Sequence, residues 1–115
     1  MKAIRKSKEF LFGSEIEWED VAPGLKRQIM GFDDKIMLVK VQFRKGAVGE
    51  LHKHRHSQVT YVESGAFQMT IGDEVKSLRG GDSFYIPPDV RHGCVCKSDG
   101  VLIDVFSPVR EDFLK

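Results

Sequence analysis

The chain has 115 residues, of which 41% are hydrophobic and 30% are charged, and its formal net charge is +1. This length suits a single domain whose core needs no disulfide, and the near-neutral charge excludes an electrostatic case for nucleic-acid or membrane binding. The apolar run at residues 10–12 is too short for a signal or membrane segment. We therefore expect a cytoplasmic protein with no nucleic-acid partner and no membrane partner.

The amino-terminal stretch 9–19 alternates short apolar pieces with acids, which is typical of an edge strand or of an arm laid over a neighbouring surface. Its Trp18 would fit a contact with a partner subunit, the mouth of a cleft or ordinary core packing. We expect an arm over residues 1–20, a barrel over residues 21–108 and a short tail over residues 109–115.

Short runs rich in apolar and β-branched residues, bounded by turn residues, predict strands at 25–30, 35–43, 66–71, 74–78, 83–86, 92–96 and 101–106. Only Gly72-Asp73 separates two of these runs, which predicts a hairpin with a two-residue turn. Residues 98–100 predict a turn between the last two strands. Helical periodicity is absent apart from a final turn at 110–115. The chain is predicted to be a nearly all-β sandwich or double-sheet barrel.

Two cysteines, Cys94 and Cys96, stand two residues apart on one predicted strand. Both side chains would then point to the same face, which is poor geometry for a mutual disulfide. We expect them to be reduced and buried.

Three of the four histidines, His52, His54 and His56, fall within residues 51–63. On one extended strand they would share a face with Gln58 and Thr60, because side chains alternate between faces. A His-x-His pair arranged in this way brings two ring nitrogens within reach of one metal ion. The alternative is a solvated, histidine-rich strand or loop without a metal.

The spacing from Gly46 through His52, His54 and Gln58 to Gly65 resembles the first motif of the cupin family, with glutamine where that motif usually has glutamate. The spacing of three later residues, Gly81, Pro87 and His92, resembles the second cupin motif. There Asp89 and Cys96 stand where the family usually has glycine and asparagine, so the second match is partial.

The resemblance implies an all-β, single-domain jelly-roll barrel, the cupin double-stranded β-helix. It also implies one divalent transition metal held at His52, His54, Gln58 and His92; zinc, nickel, iron, manganese and cobalt are all admissible. Pairing His54 with His56 instead would put the fourth ligand at Thr60 or Tyr61, which are poor ligands. Because glutamine replaces glutamate, every implied ligand is neutral, which favours a Lewis acid over oxygen activation.

Asp104 is the one charged residue in the apolar run 101–106, where a carboxylate is unfavourable unless it is paired or functional. Desolvation would raise its pKa and suit it to proton transfer, whereas a nearby metal or arginine would lower that pKa. The alternative is an aspartate at a strand bulge, hydrogen-bonded to the backbone. Arg110 follows and could bind a substrate carboxylate bidentately, or be an ordinary surface arginine.

Residues 26–30, the histidine stretch and above all residues 101–114 resemble the small single-domain cupins called pectin degradation protein KdgF. This resemblance implies an enzyme that converts 4,5-unsaturated monouronates, which are small acidic sugars, to linear 5-keto-4-deoxyuronate. It implies catalytic roles for Asp104, Phe106 and Arg110, and a homodimer. The alternatives are a metal-dependent dioxygenase, another sugar isomerase, and a non-catalytic sugar-binding or metal-binding module.

Overall fold

The computed structural model describes residues 5–114, which contain eight β-strands and two 3-10 turns. The strands are β1 (Glu19–Ala22), β2 (Leu25–Phe32), β3 (Met37–Phe43), β4 (Val48–His52), β5 (Ser57–Ile71), β6 (Glu74–Arg79), β7 (Ser83–Ile86) and β8 (His92–Ser107). The 3-10 turns are Gly13–Glu15 and Glu111–Leu114. In this part of the chain no helix is long and apolar enough to cross a membrane. The prediction of an all-β chain is confirmed.

Two long strands, β5 and β8, pair with each other along their length and belong to both halves of a barrel. In one half the order is β1-β2-β3-β8-β5-β7, using the carboxyl-terminal part of β8. In the other half β4 pairs with the first residues of β8 and β6 pairs with the last residues of β5. Two facing half-sheets that share their longest strands form a jelly-roll barrel.

Residues 98–100 are not a turn between two strands, as the sequence predicted, because β8 continues through them. Gly100 lies against Gly65 of β5, where the pairing register shifts. A Cβ added to Gly65 would lie 2.5 Å from the Gly100 Cα, and Gly65 has a φ of +86°. Two glycines therefore let the long strands bend together, and the local turn signal marks a bend within continuous strands.

The core lies between the two half-sheets. The alternating face predicted for residues 35–43 is confirmed, with Met37, Val39 and Phe43 buried. Phe43 packs edge-to-face against Phe67 of β5 at a ring-centroid distance of 5.2 Å, which joins the two halves. The predicted hairpin between β5 and β6 is also confirmed, with Ile71 opposite Glu74.

Both cysteines are free and buried in this core, as predicted. Burial raises the pKa of the Cys94 thiol to about 11. These thiols are therefore packing groups in their neutral form.

Candidate active site

The histidine stretch is not one strand, which corrects the prediction made from the alternation of side chains. β4 ends at His52, residues 53–56 form a loop, and β5 begins at the next residue. Only Gln58 and Thr60 share a strand face, and both are buried. The histidines are therefore gathered by a strand end and a loop, and not by one extended segment.

Three histidines nonetheless converge at one end of the barrel. His52 is opposite His92 in the pairing of β4 with β8, and their ring centroids are 4.3 Å apart. His54, in the loop, has its ring centroid 4.8 Å from that of His92 and 5.6 Å from that of His52. One ring nitrogen of each lies within 4.8 Å of the other two. These three side chains could hold one metal ion.

Backbone carbonyl groups determine which nitrogen of each ring is free. The Nδ1 contacts are His52 to Glu50 O at 2.7 Å, His54 to His56 O at 3.0 Å and His92 to Val90 O at 2.9 Å. Because a carbonyl oxygen only accepts, each neutral ring carries its proton on Nδ1 and presents the lone pair of Nε2. Metal-binding histidines commonly donate their other nitrogen in this way, which orients the ring.

Two further features of the cluster are lone pairs that have no hydrogen-bond donor and that a metal cation could accept. His92 Nε2 is buried and has no hydrogen-bond partner among residues 5–114. Gln58 Oε1 lies 3.0 Å from His54 Nε2, so with the proton on Nδ1 two lone pairs face each other. A divalent transition metal accepts such imidazole and amide-oxygen lone pairs, so the residues present fit a metal ion.

The protonation of these histidines is consistent with metal binding. Burial lowers the pKa of His92 to about 4. Desolvation is also the largest cause that lowers the pKa of His54, followed by the positive charge of Arg110. Both rings are therefore neutral at neutral pH, and neutral imidazole is the form that binds metals.

His56 lies outside the cluster of the other three. Its side chain is buried, and its Nδ1 has no partner in the described part of the chain. Its backbone carbonyl, and not its ring, contributes to the site, because that carbonyl accepts from His54 Nδ1. The sequence-based choice of His52 and His54 as the pair agrees with this placement.

Asp104 of β8 lies opposite Thr60 of β5 and is buried. The Thr60 hydroxyl donates to Asp104 Oδ1 at 2.6 Å, and Gln58 Nε2 is 3.3 Å from the same oxygen. Burial raises the pKa of Asp104 to about 6, although these two hydrogen bonds and the charge of Arg110 act in the opposite direction. Side chains supply the hydrogen bonds to this carboxyl group, whereas the alternative of an aspartate at a strand bulge required backbone donors.

A cavity of about 440 Å³ lies beside these groups, and its remaining walls are mainly apolar. The side chains that line it include His52, Gln58, His92, Asp104, Phe106 and Arg110. Its volume is that of a pocket for a small ligand. All six were predicted site residues, three by metal role and three by catalytic role. The remaining predicted ligand, His54, has its ring centroid 5.8 Å from that of Phe106.

Arg110 already holds a carboxylate, but from its own chain. Its Nε and a terminal nitrogen lie 3.1 Å and 3.0 Å from the two oxygens of Asp112. Its guanidinium also stacks on the rings of Phe106 and Phe113, at 5.1 Å and 4.3 Å from their centroids. Arg110 therefore makes a bidentate contact with Asp112 of its own chain, and its predicted contact with a substrate carboxylate stays a prediction.

Comparison with known proteins identifies the family. Residues 39–106 match the family model of the cupin domain. The chain is 41% identical to "Pectin degradation protein KdgF" of Dickeya dadantii over 109 residues, which covers 93% of this chain and 99% of that protein. The chain belongs to the KdgF group of the cupin family.

Solved structures agree with this assignment to the KdgF cupins. The structure of KdgF from a Halomonas species has a TM-score of 0.88 and 39% identity, covering 93% of this chain and 99% of that one. An RmlC-like cupin from Shewanella frigidimarina has a TM-score of 0.92 and 53% identity, covering 94% and 97% of the two chains. Both similarities extend over nearly the whole chain.

One of the two departures from the second cupin motif, Asp89, has a physical explanation. Asp89, where cupins usually have glycine, has a φ of 63°, a conformation that glycine adopts freely and aspartate tolerates. Its backbone N–H donates to the His54 carbonyl at 2.7 Å, which anchors the histidine loop. Cys96, where cupins usually have asparagine, is buried and its thiol contacts the Ser98 carbonyl at 3.1 Å.

Sequence reasoning missed two residues in this cupin site, Asp112 and Phe113, and gave Thr60 no role. A carboxylate two residues after Arg110 was the available signal for Asp112, but many such neighbours in sequence never pair. Thr60 was placed on the face of Gln58, which was the correct signal. Only the pairing of β5 with β8 shows that this face meets Asp104.

Proposed function

We propose that this cupin is a metal-dependent enzyme that converts 4,5-unsaturated monouronates to linear 5-keto-4-deoxyuronate. One observation carries the proposal: the buried Asp104 carboxyl group lies in the cavity, within hydrogen-bonding distance of Gln58 beside three converging histidines. Membership of the KdgF group supports the substrate class, because the relative is named for pectin degradation. Pectin or alginate breakdown would supply such sugars.

The metal would be held by the side chains at one end of the cavity. His52, His54 and His92 would offer their Nε2 atoms, and Gln58 would offer Oε1. One divalent ion, either zinc, nickel, iron, manganese or cobalt, would supply Lewis-acid polarisation of substrate oxygens. With no anionic ligand in this set, the site retains its positive charge toward an acidic sugar.

Asp104 is the proposed proton donor and acceptor. A carboxyl group with a pKa near 6 remains partly protonated close to neutral pH and can donate its proton to C4 of the double bond. Water then adds at C5 and its proton returns to the Asp104 carboxylate, which leaves a hemiketal. The C5 to ring-oxygen bond then breaks as the C5 hydroxyl proton moves to the ring oxygen, which gives the C5 ketone and an aldehyde hydrate at C1. The hydrate loses one water to give the aldehyde, so the water added at C5 is returned and the overall change is an isomerisation.

Arg110 and Phe106 would position the sugar. The Arg110 guanidinium lines the cavity and has the planar geometry that binds a carboxylate through two hydrogen bonds. For a substrate carboxylate to take that position, Asp112 must give way or share the guanidinium. Phe106 is buried between His54 and Arg110 and presents an apolar surface to the ring.

The direct test follows the ultraviolet absorbance of the conjugated double bond in a monouronate made by a pectin or alginate lyase. Metal-loaded protein should remove this absorbance faster than buffer, and a chelator should stop the reaction until a divalent metal is added back. His54→Ala should neither bind metal nor react. His56→Gln is the matched control, because the His56 ring lies outside the cluster, and it should still bind metal.

Two outcomes would contradict the proposed function. Loss of absorbance at the rate seen in buffer, with metal bound, would exclude ring opening of this substrate. Consumption of oxygen with the metal-loaded protein would instead indicate a dioxygenase.

We also propose a homodimer formed through the amino-terminal arm. Phe10 and Phe12 are 81% and 61% exposed, although both are large apolar residues, and β1 forms an edge of the sheet. Covering such an edge and such side chains by a second copy is favourable. Light scattering should give twice the chain mass, and Phe10→Ser with Phe12→Ser should reduce it to one chain mass.

A further inference from the structure

The Thr60 hydroxyl is completely buried between two groups of the proposed active site. Thr60 has no exposed surface, and its Oγ1 lies 2.6 Å from Asp104 Oδ1 and 3.0 Å from Gln58 Nε2. Gln58 Nε2 also lies 3.3 Å from Asp104 Oδ1. The three side chains form a closed triangle of contacts next to the histidine cluster.

The direction of each hydrogen bond in this triangle follows from the number of protons available. A threonine hydroxyl has one proton to donate and two lone pairs that accept. Asp104 Oδ1 accepts the hydrogen bond from the Thr60 hydroxyl, and this is the shortest of the three contacts. The Thr60 oxygen then offers only lone pairs to Gln58, and these require the amide NH₂ group and not the amide oxygen.

The opposite orientation of the Gln58 amide would be unfavourable at both ends. Its oxygen would face the lone pairs of Thr60 Oγ1 and of Asp104 Oδ1, at the positions where two hydrogen bonds now form. Its NH₂ group would point at His54 Nε2, where a metal ligand must present a lone pair. A glutamine has no intrinsic preference between these orientations, so its neighbours decide.

We propose that Thr60 is a positioning residue that fixes the Gln58 amide with Oε1 toward the metal. By donating to Asp104 and accepting from Gln58, it makes the neutral glutamine behave as an oriented oxygen ligand. A glutamate needs no such control, because both its terminal atoms are oxygens. This inference depends on the metal site of the proposed function, and it assigns Thr60 a role that precedes any chemistry.

The test is the affinity for Co²⁺ measured by competition with a chromophoric chelator, together with the visible spectrum of bound Co²⁺. Thr60→Val keeps the shape of the side chain and removes the hydroxyl, and it should weaken Co²⁺ binding on the order of tenfold. Its Co²⁺ spectrum should change as an oxygen ligand is lost. Thr60→Ser keeps the hydroxyl and should restore the affinity and the spectrum of the wild type.

The matched control is Ser83→Ala. Ser83 donates its hydroxyl proton to the Thr60 backbone carbonyl at 2.9 Å but contacts neither Gln58 nor Asp104 through that hydroxyl. Its loss should leave Co²⁺ affinity unchanged, which separates the orientation of Gln58 from a general disturbance of the strand. If Thr60→Val does not fold, Thr60→Cys provides a small replacement with a much weaker donor and acceptor, and it should weaken binding in the same way.

Wild-type Co²⁺ affinity and an unchanged spectrum in a folded Thr60→Val protein would overturn the inference while leaving the metal site intact. Equal weakening in folded Thr60→Ser would also overturn it, because the hydroxyl would not be the cause. Failure of the wild type itself to bind Co²⁺ would instead reject the metal site of the proposed function, and the inference with it.

Discussion

Two carboxyl groups beside the cavity, Asp104 and Asp112, lie in opposite environments. Asp104 is buried and receives hydrogen bonds only from the neutral groups Thr60 and Gln58. Asp112 has a side chain that is 52% exposed and pairs with the Arg110 guanidinium. Burial raises the pKa of Asp104 to about 6, whereas the hydrogen bond from Arg110 is the largest cause that lowers the pKa of Asp112.

The difference places one residue type in two electrostatic environments beside one small pocket. A carboxyl group with a raised pKa is partly protonated close to neutral pH and can donate a proton there, whereas one with a lowered pKa stays ionised and cannot. Asp104 has the first environment and Asp112 has the second. Changing each residue, and the arginine between them, tests whether this division is functional.

The largest expected effect is on turnover in Asp104→Asn. An asparagine of the same shape cannot exchange a proton, so the rate should fall by about 10²–10⁴-fold. Co²⁺ affinity measured by chelator competition should remain, because the cluster histidines are unchanged and the asparagine oxygen can still accept from Thr60 and Gln58. Full turnover in this variant would remove Asp104 from the mechanism.

The same substitution should stabilise the metal-free protein at pH 7. The pKa of Asp104 is about 6 in the folded protein against an ordinary value of 3.8, and this difference corresponds to about 3 kcal/mol. Because the folded pKa is the higher one, the protonated Asp104 carboxyl group contributes this stability below pH 3.8, and the stability is lost as the pH rises through about 6. The free energy of unfolding of Asp104→Asn, measured by urea denaturation, should exceed that of the wild type at pH 7 by up to this amount. The gain should vanish near pH 4. A variant less stable than the wild type at pH 7 would show that the carboxylate is well stabilised where it lies.

Arg110→Gln should mainly weaken substrate binding. Loss of a charge-assisted, two-point contact with the substrate carboxylate should raise KM about tenfold or more, with a smaller change in kcat. Arg55→Gln is the matched control, because it removes the same charge from an exposed residue of the histidine loop that does not line the cavity. Equal changes in KM for the two variants would mean that only the overall charge matters.

Asp112→Asn should have the smallest effect. An exposed ion pair contributes about 0–1 kcal/mol, so releasing Arg110 from its internal partner should lower KM by no more than about fivefold. Steady-state kinetics at low ionic strength would measure this change most clearly. A higher KM would mean that Asp112 holds Arg110 in position for the substrate and does not compete with it.

Much of the site could be predicted from the sequence because its signals are local. The motif spacing selected His52, His54, Gln58 and His92, and the structure brings these side chains together at one end of the barrel. The isolated acid in residues 101–106 indicated Asp104. These predictions depend on residue type, on spacing along the chain and on the resemblance of that spacing to the cupin motifs, all of which the sequence carries.

Other features depended on contacts between distant residues, and their predictions failed or were absent. The turn predicted at residues 98–100 is part of β8, because Gly100 meets Gly65 of β5. The predicted histidine strand is interrupted at residues 53–56, where the Asp89 backbone anchors a loop. Local sequence patterns do not reveal such contacts, since the partners are far apart in sequence.

The sequence by itself determined the all-β class, the cupin motifs and the residue types available to bind a metal and move a proton. The tertiary structure alone decided their electrostatic character. Pairing of β5 with β8 buries Asp104 against Thr60 and so raises its pKa, and packing of the tail places the Arg110 guanidinium over the Phe106 ring, where it also pairs with Asp112. The physical reason is that a pKa depends on desolvation and neighbouring charges, which exist only once the chain has folded.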